Sequence, residues 1–268
     1  MTMRLQFPIA IKTYRELIWR LAEREVASRY KGSILGWSWS LIQPLLTLAV
    51  YTFVFSQIFR SRWEGSDGGV LGYAINLFAG LIAFGIFSES LNKAPDLISK
   101  QPSYVKKVVF PLEVLSVVNI TAAAYHSLTG IAILMLFEVV AWQHVPATIV
   151  LLPLIWMPLL ALCLACSWTL SALGVFVRDI GQVIGVATSL LMFLSAVVYP
   201  ASALPERWQA IAVLNPMVCI IEQTRRVAVK GQWPSLTYLI VGTVAAGLTC
   251  EVSYRLFQRA RRGFADVV

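Results

Sequence analysis

The sequence predicts an all-α membrane protein with six transmembrane helices. Of its 268 residues, 58% are hydrophobic and 13% are charged, and the mean hydropathy is +0.71. A soluble domain carries about 25% charged residues. Charge-free runs long enough for a membrane-crossing helix recur along the chain, over 32–59, 68–88, 114–137, 139–177, 180–205 and 231–250. Because open strands and coils leave backbone polar groups unsatisfied in lipid, these runs predict helical spans.

The segment 1–35 precedes the first span, and it is rich in charge. It has no apolar core of the secretory type, so we expect the first span itself to direct insertion. Apolar residues repeat at the spacing of one helix face, at Tyr14, Leu17, Ile18 and Leu21. Arg15, Glu16 and Arg20 occupy the rest of the helix. The pattern predicts a cytoplasmic amphipathic helix on the membrane surface, with or without a protein partner on its aqueous face.

Six spans are expected within a transmembrane region of 36–256. Their approximate bounds are 36–59, 71–90, 111–141, 149–176, 182–200 and 234–256. If the N-terminus is cytoplasmic, sixteen of the 22 lysine and arginine residues fall on the cytoplasmic side, as the positive-inside rule favours. We therefore expect both termini in the cytoplasm, including a tail over 257–268. Anionic inner-leaflet lipid then accounts for the net charge of +8 without a nucleic-acid partner.

The segment 200–233 predicts a re-entrant helical hairpin on the outer side, between the fifth and sixth spans. Pro205 suits a first helical turn, and the helix should end near Asn215 because the residue before Pro216 avoids helical geometry. A second helix should run from Pro216 to about Gly231. Neither half reaches the roughly 20 residues of a span. A seventh span would also move the C-terminal arginines to the outer side.

The inner loop 91–110 predicts a short helix that could dock a partner. Pro95 and Asp96 open this helix, and Leu97 and Ile98 follow as apolar residues that we expect to be exposed. A rigid, exposed apolar helix of this kind suits a protein contact, although a loop helix is often just a connector.

A very short inner turn, Arg178-Asp179, joins the fourth and fifth spans. An exposed pair of opposite charges contributes little to stability by itself. We leave two interpretations open: an exposed pair without a further role, or a pair that fixes the turn or contacts the N-terminal helix or a partner.

The sequence lacks recognisable catalytic or nucleotide-binding motifs. There is no GxxxxGK[ST] phosphate loop, and no nucleophile–base pair stands out. Cys163 and Cys166 have CxxC spacing, but no second pair or nearby histidine completes a zinc site, so we expect both to be buried apolar residues. His126 and His144 stand alone in the sequence. We expect a transport protein with no catalytic residues, metal or cofactor of its own.

Short motifs along nearly the whole chain resemble, in order, the permease subunits of polysaccharide-exporting ABC transporters, in particular the O-antigen exporters of the type-2 family. These motifs are RYKGSILGWSWSLIQPLL (29–46), Asn92 with Leu97-Ile98, KKVVFPLE (106–113), FVRDI (176–180), FLS (193–195) with Tyr199-Pro200, and LNPM (214–217). The chain departs from the family pattern at Ala196-Val197-Val198, where a proline is expected two residues before Tyr199. Teichoic-acid exporter permeases are also similar.

The resemblance implies one permease domain over 1–268 that forms a homodimer in the bacterial inner membrane. Two copies of a separate ATPase subunit would bind ATP and Mg²⁺, and a lipid-linked polysaccharide would move from cytoplasm to periplasm through a shared channel. It implies ATPase-coupling roles for Asn92, Pro95, Asp96, Leu97, Ile98, Arg15, Glu16 and Arg20. The alternatives are a permease for teichoic acid or another cell-surface glycan, a membrane-embedded glycan-modifying enzyme, and a passive channel.

Aromatic side chains suit a glycan channel because they contact sugar C–H groups without tight hydrogen bonds, and conduction needs weak sites. The candidate channel residues are Trp37, Tyr51, Phe55, Phe59, Phe193 and Tyr199. Tyr51, Phe55 and Phe59 follow one another at i, i+4 spacing and share a helix face. The alternative is that these rings face lipid or pack inside the protein.

Overall fold

The computed structural model describes residues 11–58, 69–106, 110–203, 207 and 214–267, and the regular elements in this part of the chain are helices. In chain order they are α1 (Arg15–Tyr30), α2 (Trp39–Thr52), α3 (Gly69–Lys93), α4 (Asp96–Ser99), α5 (Pro102–Lys106), α6 (Glu113–Trp142), α7 (Leu152–Phe176), α8 (Ile180–Leu194), α9 (Pro216–Ala228), α10 (Leu236–Ala260) and α11 (Phe264–Val267). A 3₁₀ turn over Gly36–Ser38 leads into α2, and a π-helical segment over Phe53–Ile58 follows it.

Five stretches of the described residues are long and apolar enough to cross a membrane. They are Gly36–Ser56, Gly69–Lys93, Glu113–Trp142, Ala147–Phe176 and Leu236–Gly263. These stretches confirm the first, second, third, fourth and sixth predicted apolar helices. The last of them runs further than predicted, to Gly263. The protein is therefore a multi-pass, all-helical membrane protein.

The fifth predicted span, over 182–200, is helical only from Ile180 to Leu194. Its 15 residues cover about 22 Å at 1.5 Å per residue, which is less than the roughly 30 Å of a bilayer core. The chain leaves the helix at Ser195, and Ala196 adopts a left-handed φ of 53°. Val197 and Val198 then run through the protein interior. Hydropathy predicts a longer helix because these buried non-helical residues are also apolar.

Helix α3 lies at the centre of the molecule and packs against α2, α6, α7, α8 and α9. Sixteen of its 25 residues are buried. By contrast, Leu48 is the buried residue that α2 contributes, and Thr188 is the one that α8 contributes. Most of the α2 and α8 surface is therefore left without cover from the described part of this chain.

The apolar face of α1 packs against the N-terminal end of α6, which the sequence predicts to lie on the cytoplasmic side. Ile18 and Ala22 are buried against Val114 and Val118. The predicted apolar face of α1 is confirmed, but it is covered by the chain's own α6. Trp19 lies on another side of α1 and is 68% exposed.

The segment that the sequence assigns to a tail is packed onto the protein. Phe264 is fully buried and its ring contacts those of Phe257 and Phe176. Arg261 donates to the Glu113 carboxylate at 3.0 Å and to the Phe110 carbonyl at 2.9 Å. The end of α10 is thereby tied to the segment that leads into α6.

Candidate functional site

A cavity of about 340 Å³ lies among α2, α3 and α6. Arg29 of α1 and Met192 of α8 also reach it. Polar side chains line much of its wall: Ser40, Gln43, Thr47, Ser88, Ser127 and Thr129. Apolar and aromatic side chains line the remainder: Trp39, Pro44, Tyr51, Phe78, Leu81, Ile82, Phe84 and Ile86. A concave space with mixed walls of this kind suits a ligand that has both polar groups and apolar faces.

A charged cluster adjoins this cavity where α1, α3 and α6 meet, and it consists of Glu25, Arg29, Glu89, Lys93 and His126. Arg29 Nη1 donates to Glu89 Oε1 at 2.5 Å, and His126 Nδ1 lies 3.1 Å from the same oxygen. Lys93 Nζ lies 3.4 Å from that oxygen and 3.2 Å from Glu25 Oε1. Arg29, Glu89 and His126 line the cavity, whereas Glu25 and Lys93 do not. The cluster therefore links the N-terminal helix to the cavity wall.

Sequence reasoning missed this cluster and treated His126 as an isolated residue. Glu89 and Lys93 are i, i+4 neighbours, which is a local signal for an ion pair. Arg29 and His126, however, are 97 positions apart in the chain. Only the packing of α1 and α6 around α3 brings their side chains together.

Of the predicted channel aromatics, Tyr51 lies on the cavity side of α2, and Phe55 packs beside it from the π-helical segment that follows α2. Tyr51 lines the cavity, and its hydroxyl donates to Met192 Sδ at 3.5 Å. The Phe55 ring packs on that of Tyr51 with centroids 6.3 Å apart, and both rings lie against the core. Phe59 lies outside the described residues. Trp39, another aromatic residue of the first span, lines the cavity as well.

The other predicted aromatics do not line this cavity. Trp37 is 53% exposed, and its ring meets the edge of Tyr125 at 6.5 Å. Phe193 is 48% exposed near the end of α8. Tyr199 donates from its hydroxyl to the Phe193 carbonyl at 2.5 Å, which braces the turn that follows α8. The five aromatics of this set that the structure describes therefore do not share a single cavity wall.

The predicted loop helix exists as α4, but its apolar residues are not both exposed. Ile98 is buried, so the expectation of an exposed Ile98 is wrong, and Leu97 is half-buried. Pro95 packs so closely on α7 that a Cβ at Gly174 would clash with its backbone. This close approach turns Ile98 into the core. Asp96 stays exposed and pairs with Lys100 at 2.7 Å.

Asn92 is also a predicted coupling residue, and it lies at the C-terminal end of α3. Its Oδ1 accepts a hydrogen bond from the Thr188 hydroxyl at 3.1 Å. Thr188 belongs to α8, so this bond joins the base of α3 to the helix that ends at the irregular Ser195–Val198 segment.

The remaining predicted inner-face residues are on the surface. Arg15, Glu16 and Arg20 are exposed on α1, and Arg20 pairs with Glu16 at 2.7 Å. Arg178 and Asp179 are exposed in the turn between α7 and α8. An exposed i, i+4 pair contributes roughly 0.3–0.5 kcal/mol, so the Arg20–Glu16 pair adds little to stability.

Arg225 is a structural residue that sequence reasoning counted as a charge of the outer loop. It is fully buried, a feature that counting charges along the chain does not reveal. Its guanidinium donates to the carbonyls of Asn76 at 3.0 Å, Ala196 at 2.9 Å and Val197 at 2.6 Å, and it pairs with Glu222 at 2.9 Å. Burial lowers the pKa of Arg225 to about 10, with Glu222 opposing the shift, so the side chain remains charged at neutral pH.

A glycine makes room for this buried cation. A Cβ at Gly80 would lie 2.7 Å from Arg225 Nη2 and 3.3 Å from the Val197 carbonyl oxygen. Tyr73 lies about two turns before Gly80 in α3, and its hydroxyl donates to the Val198 carbonyl at 2.6 Å. Side chains of α3 and α9 together satisfy the backbone carbonyls of the non-helical segment after α8.

The second half of the predicted hairpin begins where the sequence places it. Helix α9 starts at Pro216, and Asn215 caps it by accepting from Met217 N at 3.0 Å. The Asn215 amide also donates to the Ser195 hydroxyl at 3.0 Å, which ties α9 to the end of α8. Most of the first half, with Pro205, lies outside the described residues.

The residues described by the structure include no group of three or more side chains suited to hold a metal ion. Cys163 is buried and Cys166 is half-buried within α7.

Sequence comparison finds similar proteins that match almost end to end. The O-antigen export system permease protein RfbA of Myxococcus xanthus is 24% identical over 257 residues, covering 95% of this chain and 96% of the relative. RfbA of Klebsiella pneumoniae is 24% identical over 259 residues, covering 94% and 95%. The polysialic acid transport protein KpsM of Escherichia coli is 23% identical over 245 residues, covering 88% and 92%.

A protein-family comparison agrees with these relatives. The family model described as ABC-2 type transporter matches residues 16–228, a range that holds α1, the cavity, α4 and α9. The relatives are named as permeases and transport proteins, and none of these names denotes an enzyme. The chain therefore belongs to the ABC-2 type transporter family.

Proposed function

We propose that this chain is the membrane-spanning subunit of an ATP-driven exporter that moves a lipid-linked polysaccharide, an O-antigen, from the cytoplasm to the periplasm. The observation that carries the proposal is the near end-to-end similarity to O-antigen export permeases. The cavity with mixed polar and aromatic walls adds physical support, because a glycan presents both hydroxyl groups and apolar C–H faces.

A second copy of the chain supplies the other half of the channel in this proposal. Helices α2 and α8 leave long apolar faces uncovered. The exposed large residues on α2 are Trp39, Leu41, Leu45, Leu46 and Val50, and those on α8 are Val183, Val186, Leu190, Phe193 and Leu194. Gly181 and Gly185 give α8 a small-residue strip that allows a close helix crossing. A homodimer that joins these faces would enclose a pathway between the copies.

The short helix α8 serves as the remaining membrane segment, with its irregular continuation buried against α3 and α9. Non-helical backbone at membrane depth is tolerated where protein covers it, and the hydrogen bonds from Arg225 and Tyr73 supply that cover. Helix α9 forms the inward-packed half of a periplasmic re-entrant hairpin. The protein resides in the bacterial inner membrane. Both termini lie in the cytoplasm, in keeping with the distribution of positive charge.

ATP and Mg²⁺ bind to a separate ATPase subunit, present in two copies, which docks on the cytoplasmic face. The docking surface consists of exposed residues of α1, α4 and the neighbouring turn, together with the half-buried Leu97. The exposed residues are Arg15, Glu16, Arg20, Asp96, Arg178 and Asp179. Pro95 and Ile98 act beneath this surface by holding α4 on α7. Asn92 carries movement of α4 to α8 through Thr188.

Deletion of the chain in its host tests the proposal. We expect loss of surface polysaccharide on immunoblots, with accumulation of lipid-linked glycan inside the cell, and restoration by the intact chain on a plasmid. Affinity purification in mild detergent should recover a stoichiometric ATPase. Unchanged surface polysaccharide and the absence of any ATPase would contradict the proposal.

Capsular polysaccharide is a second candidate cargo, since the capsule polysaccharide export inner-membrane protein CtrC of Neisseria meningitidis is 22% identical over 76% of this chain. The same deletion separates the two, because the O-antigen ladder of the lipopolysaccharide and the capsule are detected by different antibodies and stains. Loss of the capsule with an intact O-antigen ladder would select the second cargo. A teichoic acid or another cell-surface glycan is a further alternative.

A further inference from the structure

The serine and threonine hydroxyl groups of the cavity wall each lie within hydrogen-bonding distance of a backbone carbonyl, whereas the Tyr51 hydroxyl donates to Met192 Sδ. The acceptors are Trp37 for Ser40 at 2.7 Å, Gln43 for Thr47 at 2.9 Å, Gly85 for Ser88 at 3.3 Å, Ala124 for Ser127 at 2.6 Å and His126 for Thr129 at 2.7 Å. A hydroxyl has one proton and two lone pairs. When these protons point to the backbone carbonyls, the side chains offer oxygen lone pairs to a ligand. The wall is therefore rich in acceptors.

The charged cluster does not offset this preference with surplus positive charge. Arg29 and Lys93 are balanced by Glu25 and Glu89. Glu89 uses Oε1 for its short contacts, while Oε2 lies 3.4 Å from His126 Nδ1 and keeps lone pairs available. The Glu89 side chain is 20% exposed and lines the cavity. A phosphate would meet the Glu89 carboxylate as well as the Arg29 guanidinium, so the cavity offers it no surplus of positive charge.

A donor-rich ligand with apolar faces fits both features. Sugar hydroxyl groups donate to carboxylate and hydroxyl oxygens, and sugar C–H faces pack on rings such as those of Trp39 and Tyr51. We propose that this cavity within a single chain is a binding subsite for one sugar unit, with Glu89 as its principal acceptor and Tyr51 as a wall. The inference rests on the proposed export of a polysaccharide and assigns a sugar-contacting site to each copy of the chain.

The design of the test uses a glycine on the cavity wall. Gly85 lines the cavity, and a Cβ there would meet no atom within 4 Å. Gly85→Leu should therefore fill the cavity without breaking an ion pair. Gly247 in α10 also has no atom within 4 Å of its Cβ position, and it does not line the cavity, so Gly247→Leu is the matched control.

Saturation-transfer NMR on the full chain in phospholipid nanodiscs measures weak sugar binding without the sugar head groups of glycoside detergents. The probes are the methyl glycosides of glucose, galactose, mannose and N-acetylglucosamine. We expect transfer to at least one probe, loss of that signal in Gly85→Leu, and a wild-type signal in Gly247→Leu. Glu89→Gln should weaken binding about tenfold, as expected when one hydrogen bond to a charged group is lost. Glu23→Gln removes an exposed carboxylate of α1 that belongs to neither the cluster nor the cavity wall, and this variant should bind as the wild type does.

Three results would overturn the sugar assignment: no transfer to any of the four glycosides, an unchanged signal in Gly85→Leu, or a phospholipid that co-purifies with the wild type and is lost from Gly85→Leu. Export in cells separates this inference from the proposed function. If deletion of the chain abolishes surface polysaccharide while Gly85→Leu exports normally, the exporter function stands and the subsite is wrong. If deletion changes nothing, the exporter function itself is wrong.

Discussion

Arg225 Nη2 lies 2.6 Å from the carbonyl oxygen of Val197, and both residues are fully buried. Val197 follows the end of α8, where the backbone no longer forms helical hydrogen bonds. A buried carbonyl without a donor is costly, and this cost is greatest where water is excluded. The guanidinium of α9 replaces the missing helical donors, so the break after α8 depends on a residue far along the chain.

Arg225→Ala should strongly destabilise the protein. It removes the Arg225 donors of the non-helical Ala196 and Val197 carbonyls, and each buried unsatisfied group costs about 1–3 kcal/mol. The Asn76 carbonyl loses only an additional bond because it lies within α3. We expect a clear fall in the thermal midpoint of the purified protein, measured by size-exclusion chromatography after heating. Arg226→Ala is the matched control because Arg226 is exposed and donates to the Trp233 carbonyl. Equal midpoints for the two variants would contradict the assigned role of Arg225.

Gly174→Ala should displace α4 from α7. A Cβ at Gly174 would lie 2.8 Å from Pro95 Cα, so the loop backbone must shift. Overpacking of this kind costs about 1–3 kcal/mol. We expect a lower thermal midpoint and less co-purified ATPase. Gly247→Ala, where a Cβ meets nothing within 4 Å, should leave both measurements at the wild-type level. A normal ATPase yield with Gly174→Ala would argue against coupling through α4.

Leu97→Asp and Ile98→Asp should fail in different ways. Leu97 is half-buried beside the exposed end of α4, so a carboxylate there should weaken ATPase binding while the spans stay folded. Ile98 is fully packed, and an unpaired buried charge should reduce the yield of folded protein. Co-purification and fluorescence-detected chromatography distinguish these outcomes. Normal export by Leu97→Asp at a normal protein level would remove α4 from the docking surface.

Cysteine labelling checks the orientation of the chain. In a background without the native cysteines, Trp233→Cys should react with an impermeant thiol reagent added from the periplasmic side, since Trp233 is 73% exposed near the proposed outer face. Ser99→Cys, on the exposed side of α4, should react only after the inner membrane is opened. The reverse pattern would invert the proposed topology.

Residue spacing predicts some contacts of the candidate channel aromatics but not which of these rings line the cavity. The i, i+4 spacing of Tyr51 and Phe55 predicts that their rings meet, and the structure has them in contact. Spacing does not reveal which helix lies opposite a face. The cavity beside Tyr51 is closed by α3 and α6, whereas Trp37 and Phe193 point to exposed surfaces.

The sequence by itself determined the membrane class, the five long apolar helices and the start of α9 at Asn215-Pro216. These features depend on hydropathy summed along a segment, on helix capping and on the fixed φ of proline, all of which act within a few residues. Only the tertiary structure decided that α8 ends at Leu194, that Ile98 is buried, that Arg225 is an interior residue, and that Arg29, Glu89 and His126 meet at one cavity. Each of these depends on contacts between residues far apart in the chain. Such contacts are set by how the helices rotate and pack against α3, and a run of apolar residues has the same hydropathy whichever neighbour it faces.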